Sequence, residues 1–388
     1  MTGDDKILII GAGIGGLTLA RALTRAGLAC EVFERSVELR ATGAGITIQT
    51  AAMLALRTLG LDQAVAAAGE ELRVAALLDD TGRTLTRTSI AFLTEEFGAP
   101  TVALHRARLQ EVLLAAAGGV PLHLGATLTS YESDATGVTA SFADGSRARG
   151  RLLVGADGLR SAVRRQLLGD TPLRYAGYTS WRGIAETDTA FPKHEAAELW
   201  GRGARFGGAG LGHGQTYWFA VLDAPPGETD AQPLDTVRRH FAHFGGPAQA
   251  LLAATAPERV LRTDIHDREP VASWSAERVV LLGDAAHPTT PNLGQGGCMA
   301  IEDAVVLAHA LGHAPSIAEA LAAYAGARVA RTNAIVDASN RFGRLAQLRN
   351  PVGVWMRNAA LRLTPASTMR RQLRKNAVFS LDGGAART

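Results

Sequence analysis

An apolar run, Ile7-Leu8-Ile9-Ile10, leads directly into Gly11-Ala12-Gly13-Ile14-Gly15-Gly16-Leu17, and Glu34 closes the next strand-like segment, Cys30-Glu31-Val32-Phe33-Glu34. Strand, G-x-G-x-x-G turn, helix-like segment from Leu17 to Ala26, second strand and terminal acid stand in the order of a βαβ unit whose first turn holds a dinucleotide pyrophosphate. Gly11 permits the tight turn, Gly13 lets the backbone approach the diphosphate, and Gly16 lets the helix pack closely on the strand. The N–H groups at the helix start are left facing the anion. Glu34, roughly twenty residues on, is placed to accept hydrogen bonds from a ribose. The fingerprint leaves open which dinucleotide binds.

The chain has 388 residues, enough for one large core or two smaller ones sharing a cleft. Its 40 basic side chains nearly balance 37 acidic ones, so no global field argues for nucleic acid. The basic surplus is local. From Arg328 onward come Arg331, Arg341, Arg344, Arg349, Arg357, Arg362, Arg370, Arg371, Arg374, Lys375 and Arg387, against only Asp337 and Asp382. This reads as a solvated basic helical region, with weak peripheral contact with a membrane as the lesser reading. Cys30 and Cys298 are the only cysteines, each in a segment that reads as buried, so neither a disulfide framework nor a cysteine metal site is expected. The polar start, Met1 to Asp5, lacks a signal peptide's basic character, and no apolar run is long enough to span a bilayer. A cytoplasmic protein without an integral membrane segment is the expectation.

Gly43-Ala44-Gly45-Ile46-Thr47-Ile48 reads as a glycine-flanked strand before a helix over residues 50–59. Residues 72–78 and 83–86 read as a hairpin turning at Asp80-Thr81-Gly82. A helix starting near His105 carries Arg106 and Arg108 in its first turn. Strands follow between Val120 and Val154, the last ending in Gly155-Ala156-Asp157-Gly158, with Ser161 opening a helix. An aspartate there sits where open α/β sheets bind ligands, but taken alone it is more often a helix-capping acid. From about Thr171 to Pro270 the strands become aromatic, as in Tyr178 to Ile184 and Thr216 to Val221, which suits the wall of an apolar pocket. The glycines between Gly201 and Gly214 fit no second fingerprint and open no helix. The apolar strand Val279-Val280-Leu281-Leu282 then ends in Gly283-Asp284, and Pro291 to Gly297 leads into a helix expected over residues 300–311. Residues 317–348 and 352–363 read as further helices.

Together, the fingerprint with Glu34-Arg35, the Gly155–Gly158 turn, Gly283-Asp284 and the Pro291–Gly297 loop resemble the FAD-dependent aromatic hydroxylases with the p-hydroxybenzoate hydroxylase fold. The resemblance covers about the first 345 residues. It implies an α/β fold: a Rossmann-like FAD domain of the glutathione reductase type (residues 1–170 and 271–345), an inserted mixed β-sheet substrate domain (171–270, joined by 72–100) and a C-terminal helical tail (346–388). It also implies bound FAD. Gly11, Gly13 and Gly16 would hold the diphosphate and Glu34 the adenosine ribose, with Arg35, Arg106 and Leu128 along the cofactor. Asp284 would hold the ribityl or diphosphate region, Pro291 and Leu293 to Gly297, including Gly294, Gly296 and Gly297, would line the isoalloxazine, and Gly45 and Ile46 its other face. Asp157 belongs to a turn associated with both FAD and NAD(P)H.

NADH or NADPH would reduce the flavin transiently and O2 would add to give a C4a-hydroperoxyflavin, which hydroxylates a small aromatic or heteroaromatic substrate. Tyr175 to Gly183, His266-Asp267 and Asn292 to Gly297 look nearest to the urate and 6-hydroxynicotinate hydroxylases. Arg205 and Tyr217 fall where the urate-hydroxylating members contact substrate, although an exposed strand arginine and a core tyrosine are the plainer readings. His213 reads as an exposed loop histidine. A reductase or halogenase on a related fold is an alternative, but no W-x-W-x-I pattern occurs. A non-catalytic flavin-binding sensor is another. The reading takes the chain as monomer or homodimer, with no metal and no nucleic acid.

Overall fold

The computed structural model describes residues 5–39 and 44–381; Gly43, the polar start from Met1 to Asp4, and Asp382 and Arg387 lie outside them. The fingerprint strand Ile7–Ile10 is central in a six-stranded sheet. Leu152–Gly155 and Val279–Leu281 lie on one side and Cys30–Glu34 and Leu122–Leu124 on the other, all parallel. Only the short edge strand Ser275–Ala276 runs antiparallel. Ile7–Ile10 and Leu152–Gly155 are buried throughout, as expected of parallel strands covered on both faces. Their carboxyl ends place Gly11, Gly155 and Gly283 side by side. Helices Ile14–Arg25 and Gly296–His313 pack together over this sheet.

The aromatic middle of the chain forms most of a second, seven-stranded sheet, in the order Leu261–Asp267, Arg174–Ala185, Gln215–Asp223, Ala204–Gly212, Glu195–Trp200, Val74–Asp79, Thr84–Ser89. The hairpin from early in the chain joins through parallel pairing of Val74–Asp79 with Glu195–Trp200. Alternation along these strands separates two faces. Trp181, Leu199, Phe206, Trp218 and Ala220 point into a separate core closed by helices Pro233–His240 and Pro247–Ala253. The registers Ile184↔Tyr217, Arg182↔Phe219 and Arg205↔Val221 put Arg182, Arg205, Tyr217 and Phe219 on the opposite face. The glycine-rich stretch is one of these strands, and its glycines lie beneath neighbouring side chains. A Cβ at Gly207 would stand 2.7 Å from the Phe219 ring.

A small sheet of Gly45–Ile48, Thr101–His105 and Gly69–Leu72 lies between the two large ones. The long helix Ile317–Ala346 returns across the molecule, followed by Pro351–Leu363 and Ala366–Ala377. This last region departs from the solvated reading. Arg357 is buried, donating 2.9 Å to the Ala346 carbonyl and stacking over Trp200, while Arg362 and Arg374 pair with Asp79 and Glu96. Arginines there hold the tail onto the seven-stranded sheet and the Ala91–Phe97 helix, whose backbone carbonyls and acids need donors.

Candidate active site

At the fingerprint, Gly11 has φ +109°, and a Cβ on it would lie 2.4 Å from the Ala156 carbonyl oxygen. A Cβ on Gly16 would lie 1.9 Å from the Gly11 carbonyl oxygen, so the helix sits against the turn with no room for a side chain. Gly13 differs, since nothing stands within 4 Å of its Cβ position, and its open side lies at the helix N-terminus. Glu34 reaches back over this turn: its carboxylate accepts 2.8 Å from the Ala12 N–H and 2.9 Å from the Ser36 N–H. Ala126 N–H donates to the Glu34 carbonyl, which brings the Leu128 strand alongside, though the Leu128 side chain itself is buried in the main core. Arg35 is exposed.

Asp157 is committed to local structure. Its two oxygens accept from the Ser161 hydroxyl at 2.5 Å and the Ala162 N–H at 2.7 Å, capping the Ala162–Leu168 helix. Burial pushes its pKa up against those hydrogen bonds. From that helix the buried Arg164, a residue with no sequence signal, donates to the Ala285 and Ala286 carbonyls and so fixes the turn carrying Asp284. Asp284 is exposed on a concave surface where surrounding protein raises its pKa, with His287 and Arg106 opposing. Its carboxylate faces Gly296, whose Cβ position is 3.7 Å from Oδ1.

Gly296 and Gly297 form the first turn of the Gly296–His313 helix, which begins four residues earlier than the sequence suggests. The two segments approach closely there, since a Cβ on Gly297 would stand 2.8 Å from Ile46 Cδ1 and that side-chain end would have to shift. Gln49 ties the two segments together, donating 2.8 Å to the Leu293 carbonyl and accepting from the Gln295 amide. Gly294 takes φ +64°, and Pro291 is exposed at the head of the same loop. Both cysteines are buried, and burial pushes the Cys30 and Cys298 thiols up to about 11 and about 12, so neither is a nucleophile at neutral pH.

Behind this loop, Asp303 joins the Gly283 N–H (3.1 Å), His287 Nε2 (2.5 Å) and Arg328 Nε (2.7 Å), and Arg328 also pairs with Glu302. Burial opposes ionisation of Asp303, but His287 and Arg328 outweigh it and hold the pKa near about 2. A depressed folded pKa contributes stability above the ordinary carboxylate range, lost as pH falls through about 4 towards 2. An Asp303→Asn variant is expected to lose about 3 kcal/mol at pH 7, because Arg328 stays buried beside a neutral partner. Its acid-unfolding profile between pH 4 and 2 is expected to flatten; an unchanged denaturant midpoint at pH 7 would refute this account.

Arg205 and Tyr217 occupy the substrate-sheet face turned towards this loop. Arg205 is 2% exposed, which overturns the reading of a solvated strand residue. Its guanidinium donates to Gln347 Oε1 (2.8 Å), Glu198 Oε1 (3.1 Å) and Asn292 Oδ1 (2.8 Å). Asn292 in turn donates 2.8 Å to the Tyr178 hydroxyl. Tyr217 packs against the Gly45–Ile48 strand, since a Cβ on Gly45 would stand 2.5 Å from the Tyr217 Cβ. Burial raises the pKa of both Glu198 and Tyr217, with Arg205 opposing for the former and Arg182 for the latter. His213 is exposed at the tip of the 204–223 hairpin, with φ +57°. A cleft of about 660 Å3 lies behind this network, lined by Tyr175, Tyr178, Asn340, Arg344, Gln347 and Arg349 among others, but by no residue of the Gly45 strand or the Gly296 helix.

A dinucleotide cradle on one parallel sheet, continued through an acid and a glycine-lined helix start to a buried arginine and a half-buried tyrosine on a second sheet, defines an FAD-dependent oxidoreductase of the hydroxylase type. The FAD binding domain family model matches residues 4–339, and the chain belongs to that family of flavoprotein monooxygenases. It is 45% identical over 375 residues to the aurachin C monooxygenase/isomerase of Stigmatella aurantiaca, covering 96% of this chain and 98% of that protein. Identity to an FAD-dependent urate hydroxylase of Klebsiella pneumoniae is 40%, covering 85% and 88%. A 2-heptyl-3-hydroxy-4(1H)-quinolone synthase of Pseudomonas aeruginosa is 34% identical, covering 94% and 96%. The crystal structure of Klebsiella pneumoniae HpxO with FAD and uric acid superposes with a TM-score of 0.91 at 35% identity, covering 97% of each chain. Among the described residues no helix is long and apolar enough to cross a membrane.

The residues present fit FAD. The open side of Gly13 faces a helix N-terminus, where an anion is favoured, and the Glu34 carboxylate stands at the end of the second strand.

Proposed function

We propose that this enzyme hydroxylates a neutral heteroaromatic ring bearing an apolar substituent, of the 4-quinolone class, with NAD(P)H as reductant and O2 as co-substrate. NAD(P)H, a proton, O2 and the substrate C–H give NAD(P)+, water and the substrate C–OH; bound FAD supplies the redox and oxygen-activating chemistry. The carrying observation is that the Arg205 guanidinium is already engaged by Glu198, Gln347 and Asn292. Its charge is balanced inside the protein, so Arg205 is not an uncommitted guanidinium for an anionic or oxo-rich substrate. The matches along nearly the whole chain to the aurachin C enzyme and the heptyl-hydroxyquinolone synthase support the same class.

On this reading Gly11, Gly13, Gly16, Glu34 and Asp284 hold the cofactor, with Arg35, Arg106, Leu128 and Asp157 disposed around its adenosine half. The helix start at Gly296 and Gly297 directs unpaired N–H groups at negative charge on the flavin ring edge, with Pro291 and Gly294 shaping the loop. Gly45 and Ile46 close the opposite side, excluding water. Tyr217 directs the substrate ring, and Arg205 holds Asn292 and the loop in place.

Flavin reduction by NADH and by NADPH, followed in stopped flow with a 2-alkyl-4-quinolone, urate and simple phenols, tests this. The quinolone is expected to accelerate reduction and to acquire one oxygen from isotopically labelled O2; acceleration by urate alone would sink the reading. Tyr217→Phe is expected to keep FAD and fold while lowering kcat/KM about tenfold, the scale of one positioning hydrogen bond. Turnover equal to the parent protein would remove Tyr217 from the site.

A further inference from the structure

Among the described residues, five of the nine exposed large apolar side chains, Leu345, Val352, Trp355, Met356 and Leu363, fall within residues 345–363. Four of them lie on the Pro351–Leu363 helix at positions i, i+3, i+4 and i+11, a single stripe that Ala359 and Ala360 complete at i+7 and i+8. The opposite side of the helix is anchored. Arg357 is buried over Trp200, and Asn350 caps the helix start by accepting from the Val352 and Gly353 N–H groups. The stripe is therefore presented by a preformed, docked helix.

We propose that this helix seats the enzyme on an anionic lipid surface, with Val352, Trp355, Met356 and Leu363 entering the headgroup boundary. Charge selects this occupant. Between Ala338 and Leu381 the chain has no Asp or Glu but carries Arg341, Arg344, Arg349, Arg357, Arg362, Arg370, Arg371, Arg374 and Lys375. Arg341 and Arg344, in the last turns of the preceding helix, make no ion pair among the described residues, and Arg349 reaches Asp223 only at 3.9 Å. A second copy of the chain, related by a twofold axis through the stripe, would bring these arginines against their own equivalents, which repel. Anionic headgroups neutralise them while the apolar stripe leaves water, the combination that binds interfacial helices. The proposal is independent of which substrate is hydroxylated.

Trp355 makes it measurable. It is 70% exposed, whereas Trp181, Trp200, Trp218 and Trp274 are each 3% exposed or less. Holoenzyme mixed with phosphatidylcholine vesicles containing phosphatidylglycerol is expected to float with them and to show a blue shift in tryptophan emission. Pure phosphatidylcholine is expected to bind weakly, and binding is expected to weaken as salt is raised. The double variant Trp355→Ser/Met356→Ser, both sites being exposed, is expected to lose about tenfold or more in vesicle partition with soluble turnover unchanged. The proposal is overturned if the holoenzyme fails to float on the anionic vesicles at low salt, or if the double variant floats as well as the parent. It is equally overturned if the only effect of the double variant is to dissociate a dimer.

Discussion

A Gly16→Ala protein is expected to purify without FAD and to unfold far more readily than its parent. The added Cβ would stand 1.9 Å from the Gly11 carbonyl oxygen, and that atom belongs to backbone rather than to a flexible side chain. Gly11 has no slack to offer, since its own Cβ position is 2.4 Å from Ala156 and its φ is +109°. The helix must then lift off the central strand of a sheet buried on both faces, at about 3 kcal/mol, the upper range for an inserted methyl in a packed interior. Gly13→Ala provides the contrast. Nothing in the protein lies within 4 Å of that Cβ, so its melting temperature without cofactor should match the parent's, while FAD affinity falls because the methyl occupies the diphosphate approach. Calorimetry of the apoproteins and fluorimetric FAD titration separate the two; a Gly16→Ala protein with parental stability would refute the packing account.

Arg205→Met is expected to leave FAD bound yet lower kcat/KM about a hundredfold, the scale of a catalytic geometry displaced by roughly an ångström. The side chain joins three elements: Glu198 beside it in the seven-stranded sheet, Asn292 in the Pro291–Gly297 loop, and Gln347 just past the long C-terminal helix. Removing it leaves three acceptors without a donor, one of them a carboxylate, at about 3 kcal/mol. The pH dependence identifies the cause. Burial raises the Glu198 pKa and Arg205 restrains it, so without the arginine it rises further. A group with a raised folded pKa contributes stability at low pH that is lost as pH increases, so the variant should lag the parent least in mild acid and most above neutrality. A stability difference independent of pH would show that Glu198 is not the partner that matters.

Much of the cofactor end was legible because it is local. Strand, turn, helix and second strand occupy residues 7–34; Gly11 and Gly16 are fixed by contacts within that unit or with the neighbouring Gly155 turn, and Gly13 is left open. The second sheet was visible as aromatic-rich strands. What was not legible arises from separation along the chain. Asp157 could be a ligand or a cap, and only the position of the Ser161 hydroxyl shows that its carboxylate is spent on the helix. Arg164 and Gln347 carry no motif, because their partners lie roughly 120 to 140 residues away, and the motif holding Asn292 did not show that it pairs with Arg205. The arginines of the tail looked alike in the sequence, yet Arg357 is buried under the substrate sheet while Arg341 and Arg344 face outward.

The amino-acid sequence by itself determined the strand, turn, helix and strand around Gly11 to Gly16, where a turn without side chains and an acid at the end of the next strand suit one end of a dinucleotide. Only the tertiary structure decided what surrounds the other end: Gly45 against Tyr217, Gly297 against Ile46, and Arg205 shared among Glu198, Asn292 and Gln347. Those contacts join segments of different sheets, and their partners are selected by packing and by the need to pair every buried polar group, conditions that no spacing along the chain encodes.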